Sequence, residues 1–280
     1  MLKATGLACL LASLALNANA AGKPIDRRAL VTRHNPAHST IDKSAPFMVG
    51  NGNFAFTADI TGLQTFPEQY SGLSPFLIQS QWSWHSYPNP KGFTLDSAMK
   101  PLKVRNKTRN YPSLENWDEA KQENIQWLRE NPHRISLGRL ALRLENGKGE
   151  AAKYTDLSST KQTLDLWSGR LNSSFTFNGM PVEVETSVHP ERDLLIVRLH
   201  SQLLFDGRLG VDLKFPGVSR KLNPDPADWE HPESHVTREV TRSPGGLTLT
   251  RQLDDTHYSV KLVSDRELDI KTPETHLYRL

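Results

Sequence analysis

From Ile135 onward, apolar and polar residues exchange at about every second position in short runs separated by turn residues, the period of a strand with one buried face. The run Ile135–Leu144 carries leucines at 137, 140, 142 and 144, and Asn146-Gly147 closes it. Ser173–Phe177 and Val182–Val188 flank Asn178-Gly179, a strong hairpin signal, with Pro181 just beyond the turn. Leu194–Leu199, Leu209–Phe215, Leu247–Leu253 and Tyr258–Val263 continue the series at the spacing of a sandwich. The pattern predicts a mainly β fold, an antiparallel β-sandwich over residues 31–270. One segment breaks the period. Between Tyr111-Pro112 and Pro132, Leu114, Trp117, Ile125 and Leu128 recur at helical spacing, Ser113 can cap, and Glu115, Asp118 and Glu119 suit the first turns. This predicts one substantial helix near 113–131, packed on the sheet and ended by Pro132. Residues 62–112 carry Pro67, Pro75, Pro88, Pro90 and Pro101 with few periodic runs, so long loops are expected there.

Composition narrows the function classes. The chain has 280 residues, 37% apolar and 23% charged, enough to bury a core without disulfides or structural zinc. Its single cysteine, Cys9, lies in a stretch expected to be removed, which leaves zinc-finger and thiol-based readings without their sulfur. Lys and Arg total 34 against 31 Asp and Glu, so overall charge implies no charged partner and argues against a nucleic-acid binder. Residues 1–20 have the order of a secretory signal: Lys3, the apolar run Leu7–Leu16, then Ala18-Asn19-Ala20. That run is roughly half of the ~20 residues needed to span hydrocarbon. The expectation is a mature chain, residues 21–280, that is periplasmic or extracellular and makes no membrane contact once the signal is removed.

Three stretches are candidates for chemistry. In Val49-Gly50-Asn51-Gly52-Asn53-Phe54 two glycines bracket Asn51 before an alternating strand, which suits either close backbone approach to a ligand or a tight hairpin turn. It lacks the lysine and following helix of a phosphate loop. The second, Gln79-Ser80-Gln81-Trp82-Ser83-Trp84-His85-Ser86, mixes indoles, amides and hydroxyls. Sugars pack their C–H faces on indole rings and need such donors and acceptors, although Trp82 and Trp84 alternate as two core residues also would. Asn51, Gln81, Trp82, Trp84 and His85 are the candidate substrate-binding residues, although a lone histidine such as His85 is more often structural. The third, His231-Pro232-Glu233-Ser234-His235, matches no familiar zinc spacing and sits in an acidic, proline-rich run that reads as an exposed loop. No metal, cofactor or catalytic residue is assigned. There is no Gly-x-Ser-x-Gly elbow, and a glycosidase carboxylate pair is defined by separation in space, which spacing in sequence does not give.

Taken in order, these motifs resemble the N-terminal β-sandwich domain of bacterial six-hairpin glycosidases, the group related to glycoside hydrolase families 65 and 95. The resemblance rests on Val49–Phe54, on Trp127–Arg134 leading into Leu137-Gly138-Arg139-Leu140, and on Leu164–Leu199 with its Asn178-Gly179 hairpin. Together they cover most of residues 31–215. The resemblance implies a supersandwich-like domain that precedes a helical barrel holding the catalytic carboxylates, with a sandwich loop reaching over the sugar. No series of amphipathic helices for a barrel follows before Leu280, so the expectation is a sandwich truncated at its C-terminal end or paired with a separately encoded barrel. Two functions follow: a non-catalytic, sugar-site-supporting part of a secreted glycoside hydrolase, or a stand-alone carbohydrate-binding or structural β-sandwich.

Overall fold

Alternation along two adjacent strands builds one wall of the core. In Arg170–Phe177 the side chains of Leu171, Ser173, Phe175 and Phe177 are buried, and in Met180–Val188 those of Val182, Val184 and Thr186. Asn178 and Gly179 join them with φ of 50° and 77°, the left-handed pair that a two-residue hairpin requires. These strands are the middle of a five-stranded antiparallel sheet in the order Ala37–His38, Leu157–Asp165, Arg170–Phe177, Met180–Val188, Leu195–His200. The computed structural model describes residues 24–70, 74–112, 119–221 and 225–280. The signal-like segment 1–20 lies outside the described residues.

The facing layer has two parts. Phe47–Gly50, Phe54–Ala58 and Ile78–Ser80 form one small sheet; Lys271–Glu274, Leu277–Arg279, Leu209–Lys214 and Arg139–Leu144 form the other. Gln64, fully buried, joins them: its Nε2 donates to the Thr57 and Leu77 carbonyls, while its own N–H and Oε1 pair with the Leu140 carbonyl and N–H. Phe47, Val49, Phe56, Ala58, Leu142, Leu144 and Leu209 then close over Leu171, Phe175, Phe177, Val182 and Val184. Each such buried Leu, Val or Phe contributes about 1.5–3 kcal/mol relative to exposure. The result is the expected mainly β, sandwich-like architecture.

A three-stranded meander, Val236–Ser243, Gly246–Leu253 and Thr256–Val263, covers the end of this layer. Leu247 and Leu249 meet Leu213, Phe215, Ile270 and Tyr278, while Leu253 and Tyr258 meet Phe54, Ile135 and Leu137. The expected substantial helix is present, but its packing and two further expectations change. The helix spans Glu119–Glu130, with 113–118 outside the described residues. It is held against the 87–98 segment: Asn124 donates to the Thr94 carbonyl and Ser97 Oγ, and Trp127 Nε1 to the Pro88 carbonyl. Ile135–Leu137 is not strand, the regular run beginning at Arg139. The proline-rich stretch is also less irregular than expected, since it holds the hairpin Met99–Val104 and Lys107–Pro112. Among the described residues no helix is long and apolar enough to cross a membrane.

Candidate functional site

Pairing of Phe54–Ala58 with Ile78–Ser80 sets the Gly50–Phe54 turn beside the Gln79–His85 segment, and Gln81 N–H closes the junction on the Asn53 carbonyl at 2.7 Å. Asn51 shapes the turn. Its Oδ1 accepts from the Asn53 and Phe54 N–H groups at 2.9 and 2.8 Å, and its Nδ2 donates to the His189 and Arg192 carbonyls at 2.9 and 3.1 Å. At Gly50 a Cβ would sit 2.7 Å from the Phe54 carbonyl oxygen, so only glycine lets the turn close. On the other side, Ser83 Oγ donates to the Ser80 carbonyl at 2.6 Å and accepts from Ser80 N–H at 3.1 Å, which bends the chain before Trp84.

Trp84–His85 then pairs with His133–Arg134, with Trp84 opposite Arg134 and His85 opposite His133. Successive strand residues face opposite ways, so this ladder sorts its side chains to two sides. Trp84 and Arg134 face a cleft of about 540 Å³, whose other lining includes Met48, Gly52, Asn53, Gln79 and Gln81. The Trp84 indole is 45% exposed, its Nε1 donates to the Gln81 carbonyl, and the Arg134 guanidinium lies 5.1 Å from its ring centroid. Arg134 Nη1 also donates to Gln79 Oε1 at 3.1 Å, while Gln79 Nε2 has no partner among the described residues. An aromatic face, an amide and a guanidinium thus converge without any carboxylate in the lining. Such a cleft can bind and orient a polyhydroxylated ligand, and it offers no acid–base pair for bond cleavage.

His85 turns the other way and is buried. Its Nδ1 lies 2.9 Å from Thr256 Oγ1 and its Nε2 3.2 Å from Asp254 Oδ2. Burial holds this imidazole below its ordinary pKa, outweighing the upward pull of Asp254, so it is neutral at pH 7. Beyond it a second cleft of about 580 Å³ is lined by Tyr87, Ser219, Arg220, Lys221, Asp228, Ser234 and Asp254 among others. Arg220 covers the Tyr87 ring at 4.3 Å. Its two cations and two carboxylates leave it without one-signed charge.

Of the residues singled out from sequence, Gln81 and Trp84 line the first cleft. Asn51 spends its amide on backbone partners and positions the turn. Trp82 is half exposed, but its Nε1 donates to Asp193 Oδ2 at 2.7 Å and its ring packs 5.7 Å from Tyr258, so it lies outside the cleft lining. His85 supports the reverse side of the ladder. Arg134 and Gln79 were not singled out; both lie within the motifs, yet only strand pairing reveals that they meet. His231 and His235 diverge: His231 Nδ1 pairs with Asp228 Oδ2 at 2.8 Å, whereas His235 is buried beside Arg251. Among the described residues no three His, Cys, Asp or Glu groups are placed to hold a metal ion. Compared with known protein families and with curated proteins, the chain matches none.

Proposed function

We propose that the chain is a carbohydrate-binding β-sandwich that supports the sugar site of a secreted glycoside hydrolase and is not catalytic by itself. The observation that carries this reading is the cleft where the Asn51-held turn faces the half-exposed Trp84 indole, with Arg134, Gln79 and Gln81 beside it. A pyranose stacks its C–H face on Trp84, and its hydroxyls exchange hydrogen bonds with the Gln81 amide and with the Arg134 guanidinium that Gln79 positions. The resemblance of the order of motifs to that of six-hairpin glycosidases supports the assignment to such an enzyme, and the signal-like residues 1–20 support export to the periplasm or medium. The absence of a carboxylate in the cleft lining supports binding without turnover.

Titration of the mature chain with a panel of neutral and acidic oligosaccharides, followed by tryptophan fluorescence and calorimetry, tests the proposal. At least one saccharide binds the wild type, and Trp84→Ala weakens that binding about tenfold, the loss of roughly 1.4 kcal/mol of stacking and burial. Equal affinity in Trp84→Ala, with an unchanged circular dichroism spectrum, would overturn the site. Robust glycoside turnover abolished by substituting a carboxylate within residues 21–280 would overturn the non-catalytic reading.

A further inference from the structure

The hairpin Met99–Val104 and Lys107–Pro112 stands apart from both clefts. Every residue from 101 to 112 is exposed, and only Met99 and Lys100 at its base are partly covered. A lone two-stranded hairpin is marginal in water, so this arm gains little from burial. It carries Lys100, Lys103, Arg105, Lys107 and Arg109 and no acidic residue. Among the described residues none of Lys103, Arg105, Lys107 and Arg109 has a carboxylate within 4.0 Å. Overall charge near zero hides this concentration, because the acidic residues lie elsewhere in the chain.

The register decides what the arm offers. Lys100 is opposite Tyr111, Leu102 opposite Arg109 and Val104 opposite Lys107, so these side chains share one face. Each rung of that face joins one cation to one apolar or aromatic side chain. Leu102, Val104 and Tyr111 are 38%, 50% and 50% exposed. A soluble polyanion would satisfy the cations but leave Leu102 and Val104 wet. A bilayer with anionic headgroups satisfies both, since phosphates meet the ammonium and guanidinium groups while the aliphatic side chains enter the headgroup–acyl boundary. We propose that this hairpin docks reversibly, by its Leu102–Val104–Lys107–Arg109 face, on an anionic phospholipid surface. The proposal departs from the sequence expectation of no membrane contact, and it does not depend on the sugar-binding reading.

Co-sedimentation of the full mature chain tests it, using vesicles of phosphatidylcholine alone and of an equal mixture with phosphatidylglycerol. The chain binds the mixed vesicles, ignores the neutral ones, and is released by molar salt. The double variant Lys107→Glu/Arg109→Glu loses at least about 25-fold in partitioning, at about fivefold per cation removed. Leu102→Ser/Val104→Ser keeps every charge and still loses binding several-fold, the readout that separates a lipid surface from a polyanion. Trp84→Ala binds vesicles like the wild type. No binding to the mixed vesicles, equal binding to both kinds, or full binding by Leu102→Ser/Val104→Ser alongside capture of a soluble polyuronate or single-stranded DNA would each overturn the proposal. Because the substituted side chains are exposed, unchanged thermal unfolding of each variant excludes misfolding as the cause.

Discussion

Arg251 occupies the inward row of the Gly246–Leu253 strand, between Leu249 and Leu253, and is fully buried. Its partners are neutral: Nη2 donates to the Pro216 carbonyl, Nη1 to Thr237 Oγ1 and His235 Nδ1, and Nε to Tyr258 Oη, with Phe215 4.9 Å from the guanidinium carbon. A buried cation with satisfied donors is tolerable, but a second cation beside it is not. His235 must therefore stay deprotonated to accept from Arg251. Burial, Arg251 and the His276 ring 3.9 Å away together push its pKa down to about 3. The unfolded chain takes up this proton near the ordinary histidine value of 6.5 while the folded chain does not, so the stability from His235 is present above that pH and is lost as pH falls toward 3. Asp59 acts in the opposite sense: burial pushes its carboxyl up to about 6, and protonation as pH falls through that value favours the fold. Comparing wild type with His235→Gln, whose side-chain oxygen can still accept from Arg251, isolates one group. In urea unfolding the stability difference between the two shifts against the wild type by up to about 2 kcal/mol from pH 7.5 to pH 5. A constant difference would show that His235 takes up its proton as readily in the folded chain as in the unfolded one.

At the scale of elements, Asp59 fixes the course of one loop. Its carboxylate accepts from the Thr61 and Phe66 N–H groups, which folds residues 59–66 tightly enough to present Gln64 to both small sheets. Gly62 at the apex has φ +88°, and a Cβ there would lie 2.9 Å from Ser173 Oγ and 3.0 Å from Val184 Cγ1. Gly62→Ala costs about 2–4 kcal/mol in urea unfolding, whereas Gly52→Ala, with φ +92° but open space around it, costs about 1 kcal/mol. Equal losses would remove the steric part of that argument. Gly62 was not legible as a special position, but the strands around it were, because Phe175, Phe177, Val182 and Val184 alternate with polar residues and Asn178-Gly179 marks their turn. Leu157–Asp165 was not, since its most buried position holds Gln162, whose amide donates to the Asp59 carbonyl and Ser173 Oγ. The arm at 99–112 was hidden for a related reason: both its faces are exposed, so no apolar row marks it. In the candidate site the residue types were legible and their directions were not. A single step along one strand sends Trp84 into the cleft and His85 behind it, and the amide of Asn51 goes to the backbone.

At the scale of the whole molecule, the sandwich is assembled from segments on both sides of the arm. Phe47, Val49 and Phe56 precede it, Leu142, Leu171 and Phe177 follow it, and together they form one core. The arm itself shares none of that burial and exposes Lys103, Arg105, Lys107 and Arg109 on a hairpin that no third strand flanks. A protease that reads basic side chains needs an extended, accessible stretch of chain, which the strands of the core do not offer. Brief digestion with trypsin therefore cuts first within residues 103–109, and Lys100 is spared because Pro101 follows it. The two fragments co-migrate on gel filtration as one folded particle and separate only in denaturant. The molecule is thus one that can be nicked into two chains without falling apart, and its halves, produced separately, are candidates for reassembly into the same sandwich.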